Sequence, residues 1–354
     1  MLEVLRSGRL SLGPWIKRFE EIVAERVRAP YAAAVSSGTA GLHLLCRYAG
    51  LGPGDEVITS PLSFVASANC FILEGATPVF ADVDPRTLNM DPDAVEAAIT
   101  ERSRAIVAVD MFGYPCELDN LRALAQRHGL TLIEDSAEAL GAQYKGRPLG
   151  SHGPSAVFGF YPNKQITTGE GGVVVTHSED EWRALVSMRN QGRSYEEGAG
   201  WFHHVRVGLN YRWTDLQAAI GIAQLERLEE ILWLRAATAR RYSELLADVA
   251  AVELPADDDA DHRRSWFVYV VKLDPSFDRA RVLAHLRREG IETAEYIPCI
   301  HLQPYMRERY GFREGLCPVA EDVARRTFAL PFFTQIERED QERVADVLRS
   351  AVGA

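Results

Sequence analysis

AIVAVDMFGYPCELDNLRALAQRHGLTLIED, residues 105–135, reads as one strand–helix–strand unit. Two short apolar runs, 105–109 and 130–134, flank the segment 118–128. In that segment Leu118, Leu121, Leu124 and Ala125 recur at three- and four-residue steps, the spacing of a helix with one buried face. Gly129 follows where a helix C-cap takes left-handed backbone. A run, a helix and a second run in that order predict two parallel strands joined by a crossover helix.

Outward from this unit the pattern repeats. Apolar runs at 56–59, 77–81, 156–160 and 172–176 alternate with helical patterns such as 91–99. The chain from Ala33 to Val175 is therefore predicted as α/β, with a mostly parallel sheet flanked by helices. From Thr214 onward, TDLQAAIGIAQLERLEEILWLRAATARRYSELL keeps helical periodicity, as one long helix or two joined ones. It would carry the chain into a second domain. Beyond it, ELPADDDADHRR (253–264) reads as a polar loop, SWFVYVVKL (265–273) as a strand, and 278–289 and 337–351 as helices. The expected division is a large α/β domain, 1–235, ending in the connecting helix, and a small α+β domain, 236–354.

Composition bounds the function. The 354 residues are 47% hydrophobic and 25% charged, enough to bury a sizeable core. A net charge of −11 argues against nucleic acid, which needs a basic face. It does not exclude a small phosphorylated ligand, because a few backbone amides can bind one phosphate. Five scattered cysteines without a C-x-x-C pair give neither a zinc site nor a disulfide framework, and fit a reducing cytoplasm. MLEVLRSGRLSLGPW holds no long apolar stretch, so neither a signal peptide nor a membrane span is expected.

Three elements carry chemistry. Ser36-Ser37-Gly38-Thr39-Ala40-Gly41 leads into an apolar-periodic run. Small residues at a helix start leave amides free, and the helix dipole favours an anion there; alone, the stretch reads equally as a plain N-cap. Asp135 ends the run 130–134, and a carboxylate at the C-terminal end of a parallel strand faces the ligand crevice of such sheets. Singly, it could be a solvated loop aspartate. Lys164 lies in FGFYPNKQITTGEGGVVVT (158–176), between two buried runs and ahead of a glycine turn. Lysines are ordinarily solvated, but these surroundings are apolar, aromatic and glycine, where desolvation favours a nucleophilic amine. In this order the three suit pyridoxal phosphate, held at its phosphate, its ring nitrogen and its aldehyde. No metal-ligand spacing, Ser-His-Asp pattern or GxGxxG competes.

With these residues in place, the chain resembles the DegT-type sugar aminotransferases, a branch of fold type I pyridoxal-phosphate enzymes related to aspartate aminotransferase. The resemblance runs through VLRSGRLSLGP, AVSSGTAGLHLL, GPGDEVITSPLSFVASANCFILEGATPVFADVDPRTLNMD, LIEDSAEALGAQYKGRPLG, FYPNKQITTGEGG, LNYRWTDLQAAIGIAQLERL and HLQPYMRERYG, nearly the whole chain. It implies a seven-stranded type of large-domain sheet. It implies that Lys164 is the internal aldimine lysine and the general base, and that Asp135 is the partner of the ring nitrogen. Gly38 and Thr39, with Ser37 beside them, match the phosphate-binding turn, and Phe64 matches an aromatic ring against the cofactor. Asn210 matches an asparagine that reaches the phosphate of the neighbouring subunit, so a homodimer with shared sites is implied.

Three departures stand out. Glu138 occupies a position near the ring hydroxyl where many members have glutamine or histidine. Gly159 replaces a phosphate-binding serine five residues before the lysine. Family chains also begin with a further short segment, so either the start lies upstream or that segment is dispensable. Dehydratases of the family replace the lysine by histidine; Lys164 favours amino transfer. The implied reaction takes nitrogen from L-glutamate or L-glutamine, passes through pyridoxamine phosphate, and delivers it to a keto sugar, most simply one carried on a nucleotide. A keto-inositol or other aminocyclitol precursor is the alternative acceptor, and a non-catalytic regulator that kept the pocket is the alternative class.

Overall fold

The computed structural model describes residues 1–194, 198 and 200–353. Seven strands form the central sheet: β1 (Tyr31–Val35), β2 (Glu56–Thr59), β3 (Thr77–Phe80), β4 (Ser103–Val109), β5 (Thr131–Asp135), β6 (Ser155–Gly159) and β7 (Gly172–Thr176). Their spatial order is β1-β7-β6-β5-β4-β2-β3. The pairs β6–β5, β5–β4, β4–β2 and β2–β3 are parallel, while β7 runs antiparallel to both its neighbours. The sheet is thus mostly parallel, as the alternating runs predict. The exception is β7, which follows β6 through a loop rather than through a crossover helix.

Strand alternation explains why the sheet is buried on both faces. Val57, Val107, Ile133, Val157 and Val174 point into one apolar cluster. Ile58, Ile106, Ala108, Leu132, Ala156, Val173 and Val175 point into another on the opposite face. Helices α1 (Gly38–Tyr48), α2 (Ala66–Ile72) and α3 (Leu118–His128) connect strands of this sheet. The stop of α3 is the expected one: Gly129 has φ 65°, and its amide donates to Ala125 and Gln126 carbonyls.

The long periodic segment is two helices, α4 (Asp215–Glu226) and α5 (Leu228–Leu246), with Arg227 between them at φ −102°. Thr214 opens α4 with a complete capping box to Gln217. Leu228 and Ile231, at the start of α5, pack in the sheet core; Ala239, Tyr242 and Leu246, further along, pack in a third cluster. That cluster lies against a four-stranded antiparallel sheet ordered β8-β9-β11-β10, made of β8 (Val252–Glu253), β9 (Tyr269–Leu273), β10 (Ala294–Glu295) and β11 (Thr327–Leu330). The strand expected over 265–273 is shorter than its apolar run, because Ser265 and the Phe267 carbonyl bond to Gln165 and Arg235 instead of to a neighbouring strand. All five cysteines are free and buried. Among the described residues, no helix is long and apolar enough to cross a membrane.

Candidate active site

Register aligns several strand ends along one rim. Asp135 pairs with Val109 on one side and Val157 on the other. Because β7 runs backwards, its first residue, Gly172, lies between Val35 and Gly159, the last residues of β1 and β6. Three loops therefore meet here: the Ser36–Gly38 turn, the Lys164 loop and the glycine turn before β7. The approach depends on Gly172, since a Cβ there would lie 2.6 Å from the Gly38 nitrogen and the Ser37 carbonyl carbon.

A cavity of about 520 Å³ opens over this rim, within the roughly 300–1,000 Å³ range of small-molecule sites. Ser37, Gly38, Thr39, Phe64, Asp135, Glu138 and Lys164 all line it. Seven of the eight residues singled out from the sequence thus share one cavity. Asn210 does not line it; this residue is exposed and bridges to Asn190. Its neighbour Tyr211 accepts a hydrogen bond from the Ser36 amide at 3.0 Å, so Asn210 sits one residue from the support of the Ser36–Gly38 turn.

Ser37 caps α1, its Oγ accepting from the Ala40 amide at 3.1 Å. The first-turn amides of Gly38 and Thr39 have no acceptor within the helix. At Gly38 a Cβ would be 3.8 Å from both the Ala137 Cβ and the Gly159 Cα, so backbone frames the entrance to this helix end. Such an end suits one phosphate.

Asp135 is 6% exposed. Its Oδ2 accepts from the Ser67 Oγ at 2.6 Å, and Oδ1 accepts from the Ala137 amide at 3.3 Å. Ser63 and Ser67 share a 2.7 Å hydroxyl contact behind it. Burial raises the Asp135 pKa, against the lowering influence of the Ser67 and Ala137 hydrogen bonds. A carboxylate this buried, held by neutral donors, favours a cationic partner above it, and a protonated ring nitrogen is one.

The Lys164 Nζ lies 3.2 Å from the Glu138 Oε1 and 4.2 Å from the ring centre of Phe267. Glu138 is itself fixed, because its Oε2 accepts from the Phe112 amide at 3.2 Å, in a turn where Phe112 takes φ 54°. Phe64 stands 63% exposed at the mouth. The donor set therefore fits the cofactor expected from the sequence: free amides for a phosphate, a buried carboxylate for a ring nitrogen and an amine for an aldehyde.

Some of this was invisible in the sequence. Ser67, Phe267 and Tyr296 lie outside the candidate residues that the sequence marks. Tyr296 comes from beyond residue 236 to line the cavity, its ring 5.6 Å from Phe112 and 6.3 Å from Phe267. No local pattern marks a residue brought in from so far along the chain.

The model of the DegT/DnrJ/EryC1/StrS aminotransferase family matches residues 1–349. The chain is 38% identical over 362 residues to the spore coat polysaccharide biosynthesis protein SpsC of Bacillus subtilis (strain 168), covering 99% of this chain and 92% of that one. Among solved structures it resembles DesV of S. venezuelae in complex with a ketimine intermediate, with a TM-score of 0.93 at 36% identity, over 99% of this chain and 92% of that one. It also resembles the putative sugar aminotransferase Spr1654 of Streptococcus pneumoniae in its PMP form, with a TM-score of 0.95 at 25% identity, over 99% and 95% of the two chains. The chain belongs to the DegT/DnrJ/EryC1/StrS aminotransferase family of pyridoxal-phosphate-dependent enzymes.

Proposed function

We propose that this sugar aminotransferase moves an amino group from L-glutamate or L-glutamine to a nucleotide-linked keto sugar, at a site completed by a second copy of the chain. The observation that carries the reading is the meeting of Lys164, Asp135 and the free amides of α1 on one cavity. Kinship with a spore coat polysaccharide biosynthesis protein and a putative sugar aminotransferase supports a sugar as acceptor.

When bound, pyridoxal phosphate supplies an electron sink for the pair released as a substrate carbon loses its proton. The residues of the chain do the rest. Asp135 holds a proton on the ring nitrogen, and Ser67 and the Ala137 amide fix the carboxylate for that task. In each half-reaction Lys164 would move a proton at Nζ between the substrate carbon and the cofactor, as a positioned general base. Glu138 holds Nζ while the Phe112 amide holds Glu138. Gly38 and Thr39 bind the phosphate through backbone, with Ser37 as the cap that orients them. With Gly159 offering no hydroxyl, the Asn210 of the neighbouring copy takes a larger share of that phosphate. Phe64 covers the ring face, and Phe267 and Tyr296 exclude water from the amine.

The homodimer has support on the surface. Trp201, Phe202, Val205 and Val207 stand exposed in one short stretch just before Asn210, and clustered exposed apolar side chains are the kind of surface that partners cover. The large and small domains divide near residue 236, within α5. Five buried, unpaired thiols suit a reducing cytoplasm.

The test is a two-step spectral experiment. Adding glutamate to the cofactor-loaded protein should bleach the absorbance of the lysine-bound cofactor, and a panel of nucleotide-linked keto sugars and keto-inositols should then restore it. No bleaching with glutamate or glutamine would leave a pocket-bearing regulator as the better reading. Restoration by keto-inositols alone would replace the sugar with a cyclitol.

A further inference from the structure

Arg235 is 8% exposed in α5, and among the described residues its hydrogen bonds all go to backbone carbonyls. Its Nη1 donates to the carbonyl oxygen of Phe267 at 3.0 Å and of Trp266 at 3.4 Å; its Nη2 donates to that of Lys164 at 3.3 Å. Nε is buried without a partner. Beside it, the guanidinium carbon lies 5.5 Å from the ring centre of Phe332. Burial lowers the Arg235 pKa to about 10, which leaves it cationic at neutral pH. A guanidinium taken out of water with no counter-charge is costly. Apolar packing would fill the same space, but it could not fix several carbonyls through one planar fork.

Two of those carbonyls belong to the residues that define the amine. Lys164 carries it, and Phe267 places its ring 4.2 Å from Nζ. The fork thus ties the backbone of the lysine loop to the backbone of the residue that caps the lysine. Gln165 adds a second tie from the next position. Its Nε2 donates to the carbonyl oxygen of Glu138, the carboxylate partner of Nζ, and to both oxygens of Ser265. Arg235 holds the loop from the side of α5, and Gln165 holds it from the side of Glu138.

We propose that Arg235 is a positioning residue for Lys164, holding the lysine loop and the Phe267 ring in the one arrangement that presents Nζ to the cofactor. The proposal rests on the reading of Lys164 as the cofactor-bearing lysine. Arg235 touches neither substrate nor cofactor; it acts through two backbones.

Arg235→Met keeps the bulk and removes the donors, whereas Arg235→Lys keeps the charge and loses the fork. Three readings apply to each: the rate at which the cofactor-free protein develops the lysine-bound absorbance band on mixing with pyridoxal phosphate, the pH midpoint of that band, and the single-turnover rate with glutamate. In Arg235→Met, attachment and turnover should slow by about ten- to a hundredfold, the scale of a small misplacement of a reacting group. The band midpoint should also move, and Arg235→Lys should fall between. If Arg235→Met does not fold, Arg235→Lys decides by the same readings. Wild-type values for all three, with or without a loss of thermal stability, overturn the proposal. Borohydride mapping of the wild type separates the failures. A label away from Lys164 removes the underlying reading, while a label on Lys164 beside unchanged variants removes the positioning role alone.

Discussion

At the scale of single residues, Asp135 shows how burial and function pull together. Its carboxylate is placed by the end of β5 and satisfied by Ser67 and Ala137, yet burial still disfavours its charge. In the proposed role, a protonated ring nitrogen would remove that conflict, and ligand and carboxylate would stabilise each other's charged forms. Asp135→Asn keeps the shape and loses the charge. The variant should still bind pyridoxal phosphate but convert glutamate orders of magnitude more slowly, because a neutral amide cannot hold the ring proton. Stopped-flow absorbance on the half-reaction checks this, and a wild-type rate would remove Asp135 from the ring-partner role.

Among the elements, Asp110 just after β4 and Glu134 one residue before the end of β5 form a pair of buried acids that do not line the cavity. Asp110 accepts from the Ser136 hydroxyl and the Cys116 amide, and burial pushes its pKa to about 6. Glu134 is fully buried; desolvation first, then the Asp110 charge, raise its pKa to about 8. One of its oxygens has no partner. Between pH 4.5 and about 8 the unfolded chain has released the Glu134 proton while the folded chain keeps it. The Glu134 contribution to stability should therefore be greatest below that window and fall as pH rises through it, by on the order of 1 kcal/mol per unit. Glu134→Gln should flatten the slope. Urea denaturation at pH 5.5, 6.5 and 8 measures it, and equal slopes in both proteins would contradict this account.

The elements also show what was legible in the sequence. Runs such as 56–59 and 172–176 are found as strands with those bounds, because continuous apolar stretches bounded by polar residues have little choice in a two-faced sheet. Strand direction was not legible: nothing within 172–176 says that β7 runs backwards. The helix break at Arg227 was left open between one helix and two, since apolar periodicity passes straight through it. For the site, Ser37, Gly38, Thr39, Asp135 and Lys164 were readable because each sits at the end of a readable element. Arg235 and Phe267 were not, because their roles are contacts between segments far apart in the chain.

The whole molecule is where Asn210 and the exposed 201–207 stretch belong. Asn210→Ala should weaken cofactor binding roughly ten- to a hundredfold, the loss of about one hydrogen bond to a charged group. A mixed dimer of Asn210→Ala with Lys164→Ala should regain one complete site, with Lys164 from one copy and Asn210 from the other. Activity that rises when inactive Lys164→Ala is mixed with Asn210→Ala at limiting cofactor checks this; a fully active monomer would contradict it. Every such inference rests on where the cofactor is attached. The direct measurement is to load the wild-type protein with pyridoxal phosphate, reduce it with borohydride and map the labelled peptide by mass spectrometry. The account predicts a single label on Lys164, lost when glutamate is added before reduction. A label on Lys145 or Lys272, or one that glutamate leaves untouched, would contradict it.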